Sequence, residues 1–201
     1  MATQTEHPDH EGTRQIPPRS NTGHGHYLAD YQAQISDTDW FDSLAVRQAA
    51  QAVIGMICDQ NVETVWVSTD RNLLEGGRCL FTGPGDAHLA SIPLLAAPLA
   101  DTRRLAELGY DEMARAAVET IRGQVDLATV YERLREGWVI WWSQAHRDAH
   151  TLVEEDAVWE AITTVAQALR HQERLTDATI RDLIGDPAEL TGHPVWRPTL
   201  P

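Results

Sequence analysis

Residues 44–57 read LAVRQAAQAVIGMI. Leu44, Ala50, Val53, Ile54 and Ile57 recur at helical spacing, so the stretch predicts a helix, capped by Asp39 or Asp42 and running to about Asp59. Three polar residues interrupt it. Arg47 and Gln51 stand four apart and share a face, and Gln48 adjoins Arg47. Directly afterwards VETVWVSTD, residues 62–70, is β-branched and sets Val62, Thr64, Trp66 and Ser68 against Glu63, Val65 and Val67. That alternation predicts a strand.

Working outward, NLLEGG is a turn and RCLFT, residues 78–82, a second strand, so a hairpin or small sheet is expected. The rest is helical. SIPLLAAPLADTRRLAEL, residues 91–108, reads as a helix with Pro93 near its first turn and Pro98 as a kink point. Residues 110–121 and 125–135 read as two further helices, and 136–156 stays in helical register. Residues 156–171 are amphipathic through Val158, Ile162, Val165, Ala166 and Leu169. LTDATIRDLIG, residues 175–185, predicts a last short helix with Thr176 as N-cap and Gly185 just past its end. Trp159 and the Ile162 stripe should face the core, covered by Leu183 and Ile184. The expected fold class is a mainly α bundle with one small β-hairpin or sheet. Residues 1–36 are polar and rich in His, Pro, Gly and Thr and read as a flexible arm; 37–185 form the body, and 186–201 a Pro-rich tail.

Composition excludes several classes. A formal net charge of −14 argues against nucleic acid as a partner, since phosphates would be repelled. The longest uncharged apolar runs, such as 91–100, are too short to span a bilayer, so no membrane role is expected. The N-terminal residues have no apolar core of a secretory signal. Cytoplasmic location is the expectation, with Cys58 and Cys79 as buried free thiols rather than a disulfide.

Several clusters have two readings. His146 and His150 stand at i and i+4, as in a helical metal pair, but no third ligand is evident; exposed helix histidines are the simpler account. His24 and His26 offer a weak metal site in the arm, against an unstructured segment. GPG at 83–85 lacks the Lys-Ser/Thr of a phosphate loop and reads as a turn. Trp138, Trp141 and Trp142 either build core between helices or line a surface or pocket.

Four segments together resemble a family. RQAAQAVIGM followed by VETVWVS is similar to the HEAGHAV helix and first strand of the FtsH-type zinc metalloprotease peptidase domain, in particular of its small stand-alone actinobacterial relatives. PLLAAPLADTRRL resembles the family's apolar helix with small residues and an acidic pair. GQVDLATVYERL resembles the helix that carries its third zinc ligand. LVEEDAVWEAITTVAQALRHQERLTDATIRDLI follows its C-terminal pattern. The resemblance implies a helical peptidase-like body. It places the two His ligands on Arg47 and Gln51, the general base on Gln48, and the third ligand on Asp126. The Ala-Thr that follows the family's Asp is displaced here to Ala128 and Thr129.

Read this way, the metal chemistry is lost. Zinc needs three protein donors and a water, while Gln is a poor ligand and Arg a permanent cation. Gln48 cannot take a proton, so the base is missing as well. No cofactor is therefore expected. Arg47 could pair with Asp126 across the former site, or Arg47 could face solvent while Asp126 caps its helix. Three function classes follow: a catalytically inactive fold acting by binding another protein or by self-association, a repurposed non-zinc enzyme using the same site, or an active metallopeptidase with His146 and His150 as relocated ligands.

Overall fold

The computed structural model describes residues 33–70, 76–82, 87–133 and 138–191; of residues 87, 121, 123–129, 131–133 and 138–141 it describes the backbone alone. The chain is mainly helical, with one small antiparallel sheet. Helix α1 spans Asp37–Ile57, α2 Ala87–Glu107, α3 Glu112–Arg133, α4 Trp138–Glu154, α5 Asp156–Gln172 and α6 Asp177–Ile184, followed by a single 3-10 turn at Pro187–Glu189. Strands β1 (Asn61–Val67), β2 (Gly77–Thr82) and β3 (Arg174–Thr176) lie in the order β2-β1-β3, antiparallel throughout.

Helix α1 is the centre of the molecule. From Phe41 onward almost every residue of it is buried, the polar ones included. It packs against α2 and α5 and along the sheet, which is why its apolar residues surround it rather than forming one stripe. Its N-cap is Ser36, whose hydroxyl accepts from the Asp39 amide. Asp39 and Asp42 were the expected caps. Asp39 instead accepts a hydrogen bond from the Tyr110 hydroxyl, and Asp42 is buried inside the helix. Ile35, assigned to the arm, is buried with Trp40, Leu105 and Val118, so the fold begins before residue 37.

The sheet departs from simple alternation at one point. The β1–β2 register shifts between Val62 and Thr64, so Glu63 is an extra, exposed residue. This bulge lets Val62, Val65 and Val67 all turn inward although they differ in parity. The third strand is only three residues long and has too little sequence for a strand signal. Glu173, at φ 57°, ends α5; Leu175 then pairs with Val65 and is buried, and Thr176 caps α6.

Two helix assignments change. Residues 112–133 form one helix where two were expected, and Pro93 lies in the interior of α2 because that helix starts at Ala87. Proline at 93 and 98 removes two amide donors from the ladder of α2. On α5, Val158, Ile162, Val165, Ala166 and Leu169 are buried as their spacing predicts, while Trp159 is half-buried with the Arg103 guanidinium 4.1 Å above its ring. Helix α6 covers this stripe through Ile180 and Ile184; Leu183, expected to help, is 40% exposed. Cys58 and Cys79 are buried free thiols, and no helix among the described residues is long and apolar enough to cross a membrane.

Burial of Ile162 is complete, so Ile162→Ala should destabilise by about 2–5 kcal/mol, whereas Leu183→Ala should change stability by less than about 0.5 kcal/mol. Denaturant melts of the two variants check the contrast. Burial also pushes the Cys79 thiol up to about 12 from an ordinary 9.0 and raises Cys58 as well, with Asp148 adding to the rise at Cys58. The native state therefore holds protons that the unfolded chain releases above pH 9. Stability should fall on the alkaline side of pH 9, by up to about 1.4 kcal/mol per pH unit for each thiol, and a Cys58→Ser, Cys79→Ser variant should show a correspondingly flatter pH profile.

Candidate functional site

The three polar residues that interrupt α1 all lie in the interior: Arg47 and Gln48 are 3% exposed and Gln51 is 4% exposed. Around Arg47, three helices bring charge together. Asp101 of α2 follows fully buried Ala97 by one turn and precedes fully buried Leu105 by one turn, so the apolar stripe of α2 carries its carboxylate inward. Arg122 of α3 follows buried Ala114 and Val118 at the same four-residue spacing. Small residues at the crossing, Ala49, Ala50, Ala96, Ala97 and Ala100, are buried and leave room for these long side chains.

The resulting cluster is tightly connected. Arg122 Nη1 lies 2.9 Å from both Asp101 oxygens and donates as well to Ser43 Oγ at 3.1 Å. Its Nη2 donates to the Trp40 carbonyl at 3.0 Å, and its guanidinium stacks 3.7 Å from the Trp40 ring centroid. Arg47 Nη1 lies 3.6 Å from Asp101 Oδ2, and its Nη2 donates to the Arg122 carbonyl at 3.0 Å. One buried carboxylate thus serves two buried guanidiniums. Main-chain carbonyls, a hydroxyl and an aromatic face add to this pairing, and all of them favour a cation.

Gln48 is differently placed. Its carboxamide oxygen is buried and accepts no hydrogen bond. Strand β2 closes over it: a Cβ built on Gly77 would sit 3.0 Å from Gln48 Cγ and 2.6 Å from the Trp66 carbonyl. Only glycine allows that approach. The residue before it, Gly76, has φ 56° and meets Leu44 of the same helix.

Arg47, Gln48 and Gln51 are therefore together and enclosed. Asp126 has its backbone on α3, one turn beyond Arg122, but its side chain lies outside the described residues, so its pairing with Arg47 is not described. The carboxylate that the sequence reading overlooked is Asp101. The acidic position in PLLAAPLADTRR was its visible trace, but one residue flanked by two arginines does not reveal which cation it meets. Arg122 gave no signal beyond its place on an apolar stripe.

His146 and His150 are both exposed on α4, with the His146 ring 6.5 Å from that of Trp142, and no group of three metal-ligating side chains occurs among the described residues. Trp142 is half-buried against the core; the side chains of Trp138 and Trp141, the whole of His24 and His26, and the GPG turn lie outside the described residues. A second buried pair joins α2 to α4. His88 Nε2 is 3.1 Å from Asp148 Oδ2, and Gln144 donates to Asp148 Oδ1 at 2.9 Å. Neither His88 nor Asp148 had a sequence signature.

Against models of protein families and against curated proteins, the chain gives no match. The donor set at 47, 48 and 51 does not fit zinc. It presents a guanidinium and two carboxamides, and the nearest described carboxylate is already committed to two arginines.

Removing Asp101 takes a buried counter-ion from two buried guanidiniums. Asp101→Ala should cost about 3–5 kcal/mol, read as the loss in unfolding free energy. Gln48→Met has the opposite sign. It removes a buried, unsatisfied carboxamide at nearly constant volume, and should leave stability unchanged or raise it by about 1 kcal/mol in the same melts.

Proposed function

We propose that this chain has a peptidase-like helical body of the FtsH type that has lost hydrolysis and works by binding, either to another protein or to a second copy of itself. The observation that carries the reading is the Arg47–Asp101–Arg122 cluster. A guanidinium stands at the position where the resemblance puts the first metal ligand. Its positive charge is held by a 1% exposed carboxylate, in the interior rather than at a surface cleft. A metal ion there would have to displace a buried cation and strand its counter-ion, which costs several kcal/mol before any ligand bond forms. The base position points to the same end. Gln48 can neither take a proton nor reach water in quantity, and β2 lies over it. Retention of the mainly α body with α1 at its centre favours a role for the fold as a scaffold.

Metal analysis of the purified protein, together with a peptidase assay and sedimentation, tests this. The expected result is less than stoichiometric zinc, no cleavage of unfolded protein substrates with or without added zinc, and either a concentration-dependent dimer or a stable heteromeric complex in the native host. Stoichiometric zinc removed by changing Asp126, or zinc-dependent cleavage, would overturn it. Changing His146 and His150 in parallel separates this outcome from relocated ligands on α4.

A further inference from the structure

Among the arginines whose side chains are described, all but two donate to a carboxylate, a carboxamide or a main-chain carbonyl. The two that do not are Arg78 of β2 and Arg174 of β3. They occupy one row of the sheet. Trp66 of the central strand is the register partner of both, with Arg78 on one side and Arg174 on the other. Val65 and Val67 are buried, so half-buried Trp66 and the two exposed arginines lie on the face turned away from α1. In the next row Thr64 pairs with Leu80, which is 37% exposed. The face thus has an apolar middle and an unpaired cation on either side. Glu63 at the bulge and Glu173 before Arg174 are the nearby acids, and neither forms an ion pair among the described residues.

Helix α6 carries the opposite pattern. Leu183 is 40% exposed, and Asp182 before it and Asp186 three residues after it are exposed as well. Asp182 makes no ion pair among the described residues, and Asp186 is engaged only by the Ala188 amide. Over residues 177–190 four acids stand against one base, Arg181, which is bound to Asp177. The two patches adjoin in one protomer, because Thr176 ends β3 and caps α6. They do not meet within it, since Ile180 and Ile184 hold α6 against the core. An isologous dimer needs such neighbours: each copy lends both halves, and the contact forms twice about a two-fold axis. A chain of net charge −14 repels its own copies except where a cationic patch meets an acidic one, which fixes the orientation. We propose that a second copy of this chain docks here, its α6 across the outer face of the sheet, with Leu183 against Trp66 and Leu80, and Asp182 and Asp186 against Arg174 and Arg78. The pairing rests on the binding role proposed above and gives that role its partner.

Sedimentation of the full chain over a range of concentrations reads the dimer. Arg174→Glu and Asp182→Arg, both at exposed positions, should each weaken self-association by about tenfold with the circular dichroism unchanged. An equimolar mixture of the two variants should recover it, because one contact of the mixed dimer is native and the other has its charges exchanged. Leu183→Ala should weaken the dimer without touching charge. A chain that stays monomeric at every concentration, a dimer that both charge variants retain, or a mixture no better than its components would overturn this surface. A heteromeric complex found beside any of these results leaves the binding reading standing, whereas zinc-dependent cleavage removes that reading whether or not the dimer forms.

Discussion

The fold turns on a single carboxylate in the core. Asp101 sits where α1, α2 and α3 meet, 1% exposed, with Arg122 against both of its oxygens and Arg47 beside one of them. Taking three ions out of water is costly, and their mutual attraction does not by itself repay the cost. What makes the arrangement tolerable is the number of neutral partners that favour a cation: the carbonyls of Trp40 and Arg122, the Ser43 hydroxyl and the Trp40 ring. These come from fixed places on α1 and α3. The cluster therefore acts less as glue than as a register device, since sliding either helix by one turn would separate the guanidiniums from their acceptors.

Asp42 repeats the arrangement one residue before Ser43. It too is a buried carboxylate between two arginines, here Arg104 of α2 and Arg170 of α5. The two differ in solvent access. Arg47 and Arg122 are nearly sealed, and each guanidinium is directed at interior acceptors. Arg104 and Arg170 are 29% and 39% exposed, and Arg104 pairs with Glu107 as well, at 3.1 Å. The same pairing therefore fixes helices in a sealed crossing in one case and beside solvent in the other. The difference follows from position: the first cluster lies under α3, while the second opens between α2 and the last turn of α5.

Local periodicity exposed most of the architecture and little of the site. Helical spacing is a property of adjacent turns, so α1, α5 and the Thr176 cap were legible, as was β1. Where one face was buried by a distant element, the signal failed. Leu183 looked as apolar as Ile180, yet only tertiary packing decides which of them meets α5. The bulge at Glu63 is invisible without the partner strand. Arg122 and Asp101 contact residues 79 and 21 positions away, and a charged residue on an apolar helix looks the same whether it is an exposed intruder or half of a buried pair. Arg47 was noticed because its neighbours resembled a known pattern, not because the residue itself announced burial.

A last step concerns charge in the core. Taken by themselves, Arg47, Arg122 and Asp101 sum to one positive charge at the helix crossing. On the proposed reading, an ancestral site with neutral histidines at 47 and 51, a glutamate at 48 and a divalent ion would carry the same net charge, counting Arg122 and Asp101 as they stand. Asp126 enters both sums equally. On that reading a guanidinium in place of a metal would exchange one cross-link for another without changing the electrostatic demand on the surrounding carbonyls and the Trp40 ring. Such an exchange would cost the fold little, because the carbonyls, the hydroxyl and the ring at that crossing favour a cation of either kind. Gln48 lies beside this crossing with a buried carboxamide oxygen that accepts no hydrogen bond. The side chain at 48 is neutral in a place closed to water, and it fills the space against Gly77 without bringing a charge into the core.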